Sequence, residues 1–211
     1  MKILALDASG PTASAALCQG DRLVALSYAD CGLKHSVTLL PMAEELLNRA
    51  GWTVADLGLL VVTNGPGSFT GLRIAVSTVK GLALVNGTPC AGVSSLEALA
   101  WCHADRDGIV CALMDARRGE FYAATFDILG GIPRRLTQDR ALPRDVIETE
   151  LAAYRQPVRQ VLDGTAPCAL AHGAALAAKQ KTPIQASELV PVYLRKSQAE
   201  RMAAEAASDR P

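Results

Sequence analysis

Asn64-Gly65-Pro66-Gly67-Ser68-Phe69-Thr70-Gly71-Leu72-Arg73 joins a predicted strand to a predicted helix. The apolar, β-branched run before it indicates a buried strand over Asp56–Thr63, and apolar sequence of helical length continues after it to Val85. Ser68 stands where such a helix needs its N-cap. The glycines let another group approach the backbone closely, and free amides at a helix start favour anions. This turn is therefore an anion site, with Arg73 or Lys80 assisting, or a tight packing joint.

The rest of the first half reads as strands and helices in alternation. Capping signals are clear at one helix start, where Ser94 is predicted as N-cap and Glu97 as the reciprocal acid of a capping box. Pro41 falls inside the first helix, so a kink or a later helix start is expected there. The remaining predicted elements are strands Lys2–Asp7, Ala13–Cys18, Arg22–Tyr28 and Pro89–Val93, and helices His35–Ala50 and Phe69–Val85.

The second half repeats the opening pattern of strand, aspartate, glycine-containing turn and strand. This weak internal repeat predicts two domains of related design, 1–107 and 108–195, followed by a tail, 196–211. The predicted elements are strand Ile109–Asp115, strand Glu120–Asp127, loop Pro133–Pro143, helix Arg144–Tyr154, strand Val158–Leu162, helix Pro167–Lys179 and the extended piece Val190–Leu194.

Composition excludes several functional classes. The 21 basic and 21 acidic residues cancel, and only 4% of residues are aromatic, so the chain itself is not expected to be the main binder of any RNA. No apolar run reaches membrane-spanning length, and the start resembles a strand, not a signal peptide. The six cysteines lack a C-x-x-C pair, which favours reduced thiols. A soluble cytoplasmic protein is expected.

Two neighbouring helices carry more apolar surface than one buried stripe requires. This excess predicts an oligomeric interface built from the pair. The alternative is a central helix covered by the chain's own second domain. The predicted interface residues are Val37, Leu40, Leu47, Phe69, Leu72, Arg73, Val76, Val79 and Lys80.

No complete catalytic or nucleotide-binding motif is present. The glycine turn fails as a Walker A loop, because Leu72-Arg73 follow Gly71, and as a dinucleotide fingerprint. In actin-like and sugar-kinase-like ATPases a first phosphate loop follows the first strand, and here only Asp7 and Ser9 remain as candidate cofactor-binding residues of a degraded version. His35 is interpreted as a surface or cap residue, and no residue is predicted to be catalytic.

Together these residues resemble the TsaB (YeaZ) family of bacterial tRNA-modification proteins. The matching pieces are Leu4–Ser9, Lys34–Ser36, Leu39–Met42, Asn64–Arg73, Asp115–Glu120 and Pro191–Arg195. The resemblance implies a bilobal actin-like (ASKHA) α/β fold of two related subdomains, each a mixed sheet flanked by helices. It also implies a role in forming threonylcarbamoyladenosine at position 37 of tRNAs that read codons beginning with adenine.

In that pathway the resemblance implies a division of labour. A TsaD paralogue transfers the threonylcarbamoyl group, TsaB is its partner, and TsaE supplies ATPase activity. The paralogue carries H-L-E-G-H at the junction where this chain has Ser95-Leu96-Glu97-Ala98-Leu99, so both metal-ligand positions are lost, at Ser95 and Leu99. The chain is therefore expected to be a non-catalytic subunit that meets tRNA through the complex and forms a homodimer without its partner.

The remaining expectations concern cofactors and two alternative activities. No cofactor is expected on this chain alone, while ATP or ADP at the interface of the complex stays open. The rival from another class is an autonomous actin-like small-molecule kinase, which would bind ATP and Mg²⁺ through Asp7 and Ser9. A protease acting on a partner subunit has no nucleophile–base pair to support it.

Overall fold

The computed structural model describes residues 1–30, 32, 34–164 and 169–195, and the predicted tail lies outside them. The helices are α1 (His35–Ala50), α2 (Phe69–Ala83), α3 (Ser95–Cys102), α4 (Arg144–Ala152) and α5 (Leu170–Ala178). The strands are β1 (Lys2–Asp7), β2 (Ala13–Gln19), β3 (Arg22–Ala29), β4 (Leu59–Gly65), β5 (Cys90–Ser94), β6 (Gly108–Asp115), β7 (Glu120–Leu129), β8 (Ile132–Arg135), β9 (Arg140–Pro143) and β10 (Val158–Leu162).

The strands form two mixed sheets of the same design. In the first, with order β3-β2-β1-β4-β5, the meander β1–β3 is antiparallel, and β1, β4 and β5 are parallel. In the second, with order β10-β6-β7-β8, β6 and β7 are antiparallel, β10 is parallel to β6, and β9 also pairs with β7. The repeat predicted from the sequence is therefore a repeat of topology, and the predicted bilobal class is confirmed.

Helices lie between and outside the two sheets. Helices α1 and α2 cover the outer face of the first sheet, α3 and α5 lie between the sheets, and α4 covers the far face of the second. Alternation along β1 explains the layers, because Leu4 and Leu6 pack towards α1 and α2 while Ile3 and Ala5 pack towards α3 and α5. Both faces of β1 are buried, as the apolar run predicted.

Small residues let α3 and α5 cross closely in the middle layer. A Cβ atom added at Gly173 would overlap the carbonyl oxygen of Ala98 and lie 2.9 Å from the carbonyl carbon. Alanines form most of the rest of α5. The two sheets therefore share one core through a crossing that tolerates little side-chain volume.

Several predicted elements are corrected. Strand β4 starts at Leu59, not Asp56, because a short 3₁₀ turn over Val54–Asp56 precedes it. The predicted loop Pro133–Pro143 contains most of β8 and all of β9. Helix α1 starts at His35 and contains Pro41, so a later start is wrong.

The end of the described chain returns to the first sheet. Helix α5 packs on β1, β2, β4 and β5, and Ile184 forms a bridge with Cys90. Residues 190–193 have no regular secondary structure and Leu194 lies in a bend, so the predicted extended piece is not a strand. The second sheet starts at Gly108, the first residue of the predicted second domain, but α5 later in the chain packs on the first sheet. The domain limits 1–107 and 108–195 stay a prediction.

Candidate interaction face beside a closed phosphate loop

The glycine turn is a joint between three segments. Gly65 has φ 133°, and a Cβ there would overlap the carbonyl oxygen of Val192. A Cβ at Gly67 would lie 2.9 Å from Ser9 Cβ, and one at Gly71 would lie 3.2 Å from the carbonyl carbon of Ala8. The predicted N-cap is confirmed, since Ser68 Oγ accepts a hydrogen bond from Gly71 N at 3.3 Å. The turn therefore serves close packing against the loop after β1 and against residues near 192.

That loop is closed by its own hydrogen bonds. Asp7 and Ser9 are both 1% exposed, and Asp7 Oδ1 accepts from Ser9 N at 3.1 Å, from Ser9 Oγ at 2.6 Å and from Thr63 Oγ1. Ser9 O accepts from Ser68 N at 2.7 Å. Asp7 Oδ2 is buried and has no hydrogen-bond partner within the described residues. Burial raises the pKa of Asp7 despite these hydrogen bonds.

A second carboxylate lies against the same loop. Asp163 follows β10, and its Oδ2 occupies the space that a Cβ at Gly10 would need. Burial first, and then the charge of Asp7, raise the pKa of Asp163 to about 6. His35 is buried, contrary to its interpretation as a surface residue, and its Nε2 lies 3.1 Å from the Gly10 carbonyl oxygen.

These residues do not fit ATP and Mg²⁺ held by this chain alone. The Ser9 amide and carbonyl are engaged, Asp7 is buried, and the Asp163 carboxyl group lies against Gly10 in the same loop. A phosphate loop needs free backbone N–H groups and space for the phosphate. That Asp7 and Ser9 bind a cofactor stays a prediction.

The positions that correspond to the paralogue's metal ligands lie in the core. Ser95 and Leu99 are both 0% exposed on α3, and within the described part of the chain no group of three or more His, Cys, Asp or Glu residues could hold a metal ion. Ser94 Oγ caps α3 by accepting from Glu97 N at 3.2 Å. The reciprocal half of the capping box is corrected, because the Glu97 carboxylate accepts from Lys181 at 2.8 Å and pairs with Arg135.

Four residues predicted for the interface are buried inside the chain itself. Leu72, Val76 and Val79 repeat every three or four residues along α2. Val76 and Val79 belong to the core between the helices and the first sheet, and Leu72 is fully buried beside Gly65 at the end of β4. Leu47 of α1 lies in the same core as the two valines. They contribute to the core and not to a free surface, so the alternative of a covered helix holds for this side of α2.

The other predicted interface residues lie at or near the helix starts. Val37 is 66% exposed and Leu40 40% exposed on α1, while Phe69 is half-buried and Arg73 exposed on α2. Lys80 lies further along α2 and donates to Leu189 O at 3.0 Å, so its ammonium group is engaged within the chain.

Both helix starts lie at one end of the first sheet. Strand β3 is parallel to β1 because both are antiparallel to β2, and β4 is parallel to β1 directly, so β3 and β4 run in the same direction. Helix α1 follows the carboxyl end of β3, and α2 follows that of β4. His35 at the start of α1 is 3.3 Å from the position of a Cβ at Gly71 in α2. The exposed residues of the two starts therefore share one surface.

Residues 190–195, which we call the strap, extend this surface. Val192 N donates to Asn64 O at 2.6 Å, and Asn64 Nδ2 donates to Val190 O at 3.0 Å. Tyr193 stacks on Phe69 with ring centroids 4.4 Å apart, and its hydroxyl accepts from Arg73 Nε at 3.1 Å.

Exposed apolar side chains continue along the strap. They are Val190 at 55%, Val192 at 45% and Tyr193 at 38% exposure. These residues were not predicted as interface residues from the sequence, although the segment Pro191–Arg195 is one of those that carry the family resemblance. We use the name strap face for the exposed residues of the helix starts and the strap: Val37, Leu40, Phe69, Arg73, Val190, Val192 and Tyr193.

Known proteins match this chain, one of them over nearly its full length. A family model described as "TsaD: tRNA N6-adenosine threonylcarbamoyltransferase" matches residues 30–153. The "tRNA threonylcarbamoyladenosine biosynthesis protein TsaB" of Bacillus subtilis is 32% identical over 95% of this chain and 96% of the relative, and that of Escherichia coli is 38% identical over 60% and 55%.

A solved structure agrees with these relatives. YeaZ from Pseudomonas aeruginosa superposes with a TM-score of 0.77 at 29% identity, covering 92% of this chain and 99% of that one. No helix in the described part of the chain is long and apolar enough to cross a membrane. The chain belongs to the TsaB (YeaZ) family.

Proposed function

We propose that this chain is a non-catalytic partner subunit in forming threonylcarbamoyladenosine at position 37 of tRNAs that read codons beginning with adenine. The names of its relatives support the pathway. The closed phosphate loop and the buried Ser95 and Leu99 support a role without its own chemistry. The chain binds a TsaD-type transferase, and a TsaE-type ATPase and tRNA join through the complex, in the cytoplasm.

The observation that carries the proposal is the strap face. Val37, Val190 and Val192 are each at least 45% exposed around a fixed aromatic–arginine cluster. Exposed apolar side chains around an aromatic and arginine centre are typical of protein interfaces. The transferase occupies this face, and without the transferase a second copy of the chain occupies it. Any ATP or ADP binds at the interface of the complex.

A charged substitution on the face tests the partner role. Leu40→Glu should weaken retention of the co-expressed transferase paralogue about tenfold or more, because a carboxylate is buried without a partner. Leu26→Glu is the matched control, since Leu26 is 43% exposed on β3, outside the strap face. Both variants should unfold at the wild-type temperature. Equal retention of the paralogue by Leu40→Glu and wild type would overturn the assignment of the face.

The pathway needs its own test. Cells depleted of the chain should lose threonylcarbamoyladenosine, measured by mass spectrometry of tRNA nucleosides. Wild type and Leu26→Glu should restore it, while Leu40→Glu should restore less. Full modification in depleted cells would overturn the proposed function. Calorimetry adds a check on chemistry, because tight binding of ATP and Mg²⁺ by the isolated monomer would favour an autonomous kinase.

A further inference from the structure

The turn between β6 and β7 has an unusual backbone. Arg117 has φ 64°, Arg118 φ 58° and Gly119 φ 79°, so three successive residues lie in the left-handed region. Turns with positive φ at both central residues are dominated by glycine, asparagine and aspartate, because a side chain with a Cβ is strained there. Two arginines in these positions therefore retain strain that other residues would relieve.

The surrounding structure holds this turn in place. Asp115 Oδ1 accepts from Arg117 N at 2.6 Å, and Ala116 N donates to Glu120 O at 3.0 Å. Arg195 of the strap donates to Ala116 O at 2.7 Å and forms an ion pair with Glu120. Strain that persists in a well-held, exposed turn is a reason to look for a function of its side chains.

The two guanidinium groups are free to bind something else. Both arginines are exposed, and neither side chain forms a hydrogen bond or ion pair with any described residue. A guanidinium group presents a planar set of donors that matches a carboxylate or a phosphate. The turn therefore displays two cations, unpaired within the described part of the chain, on a well-held backbone, and they suit an anionic ligand.

The turn continues the strap face. Tyr193, which stacks on Phe69, is two residues from Arg195, which binds the base of the turn. Two residues of extended backbone span at most about 7 Å. The turn therefore adjoins the end of the strap that follows Tyr193, to which the Arg195 side chain joins it.

We infer that Arg117 and Arg118 are an interface element that binds carboxylates on the surface of the partner protein. This inference rests on the proposed function, because it gives the chemistry of the partner surface that meets the strap face. An RNA backbone is the weaker candidate. The neighbouring face is apolar, Asp115 is exposed beside the turn, and the chain's 21 basic and 21 acidic residues cancel.

Charge reversal tests the inference against a matched control. Purified transferase paralogue would be titrated onto immobilised chain at low and high salt. Arg117→Glu and Arg118→Glu should each weaken binding about tenfold or more, and wild-type binding should weaken with salt more steeply than that of either variant. Arg155→Glu, at an exposed arginine after α4 that has no partner within the described residues, should stay within about twofold of wild type.

A third variant separates binding from stability. Asparagine adopts the left-handed conformation more readily than arginine, so Arg118→Asn should unfold at the wild-type temperature or above while binding more weakly. A purely structural role for Arg118 predicts that stability and binding fall together. That result would overturn the inference.

The remaining outcomes separate this inference from the proposed function. If Leu40→Glu weakens binding while both charge reversals bind as wild type, the inference fails and the proposed function stands. If all three bind as wild type, the inference fails together with the assignment of the strap face, while the proposed function is still decided by the tRNA modification of depleted cells. Fluorescence anisotropy with labelled tRNA supplies the RNA arm, because loss of tRNA binding in the reversals with unchanged binding of the paralogue would also overturn the inference.

Discussion

Replacing Gly173 with alanine probes the crossing of α3 and α5 that joins the two sheets. The new Cβ would overlap the carbonyl oxygen of Ala98 and lie 3.0 Å from Cys102 Sγ. Backbone must move to accept it, and overpacking of this kind costs about 3 kcal/mol at its usual upper end. The higher helix propensity of alanine offsets up to about 1 kcal/mol of this cost. The net loss is about 2 kcal/mol, or about 4–8 °C in melting temperature for a chain of this size.

Gly81 provides the matched control, because it is also an interior helix glycine. It is exposed on α2, and a Cβ there would meet nothing within 4 Å. Gly81→Ala should therefore raise the melting temperature by about 2–4 °C. Differential scanning calorimetry of both variants measures the contrast. A Gly173→Ala variant as stable as wild type would refute the close crossing, whatever the control shows.

Two further predictions concern charges. Asp163→Asn should stabilise the chain by about 1 kcal/mol at pH 7, because the folded-state pKa of about 6 lies above the ordinary 3.8, and the advantage should fade as pH drops from 6 to 4. Urea unfolding across this range measures it, and a pH-independent difference would contradict the cause given. Glu97→Gln should lower the free energy of unfolding by about 1–2 kcal/mol, because Lys181 loses its carboxylate partner and, among the described residues, Arg135 keeps only the carboxylate of Asp139. Glu45→Gln, at an exposed pair, should change it by less than about 0.5 kcal/mol.

Local sequence signals predicted most elements well. The bounds His35–Ala50 of α1 are those of the sequence reading, because a continuous apolar stripe outweighs Pro41. The carbonyl of Val37 loses its helical partner at that proline, and Val37 is 66% exposed, so water can replace the bond. Strands β8 and β9 were missed because each has four residues and includes a proline, which edge strands tolerate.

Long-range contacts decided what the sequence could not. Val76 and Val79 are as apolar as a partner-binding stripe would be, and only the position of the first sheet makes them core. The strap meets Asn64 from 128 positions away, at Val192. No local pattern indicates that pairing. The left-handed arginines were equally hidden, because turn preferences would have placed glycine or asparagine there.

The glycine turn connects these separate findings. Backbone atoms of Val192, Ser9 and Ala8 lie close against its glycines, so one turn contacts both the strap and the loop after β1. The amide and the carbonyl of Ser9 are both engaged in this arrangement, and the strap and the helix starts form a partly apolar surface. The packing that engages the Ser9 backbone thus also holds the strap face in place. A side chain at Gly65 should therefore disturb the strap face through the carbonyl oxygen of Val192, whose position this glycine permits.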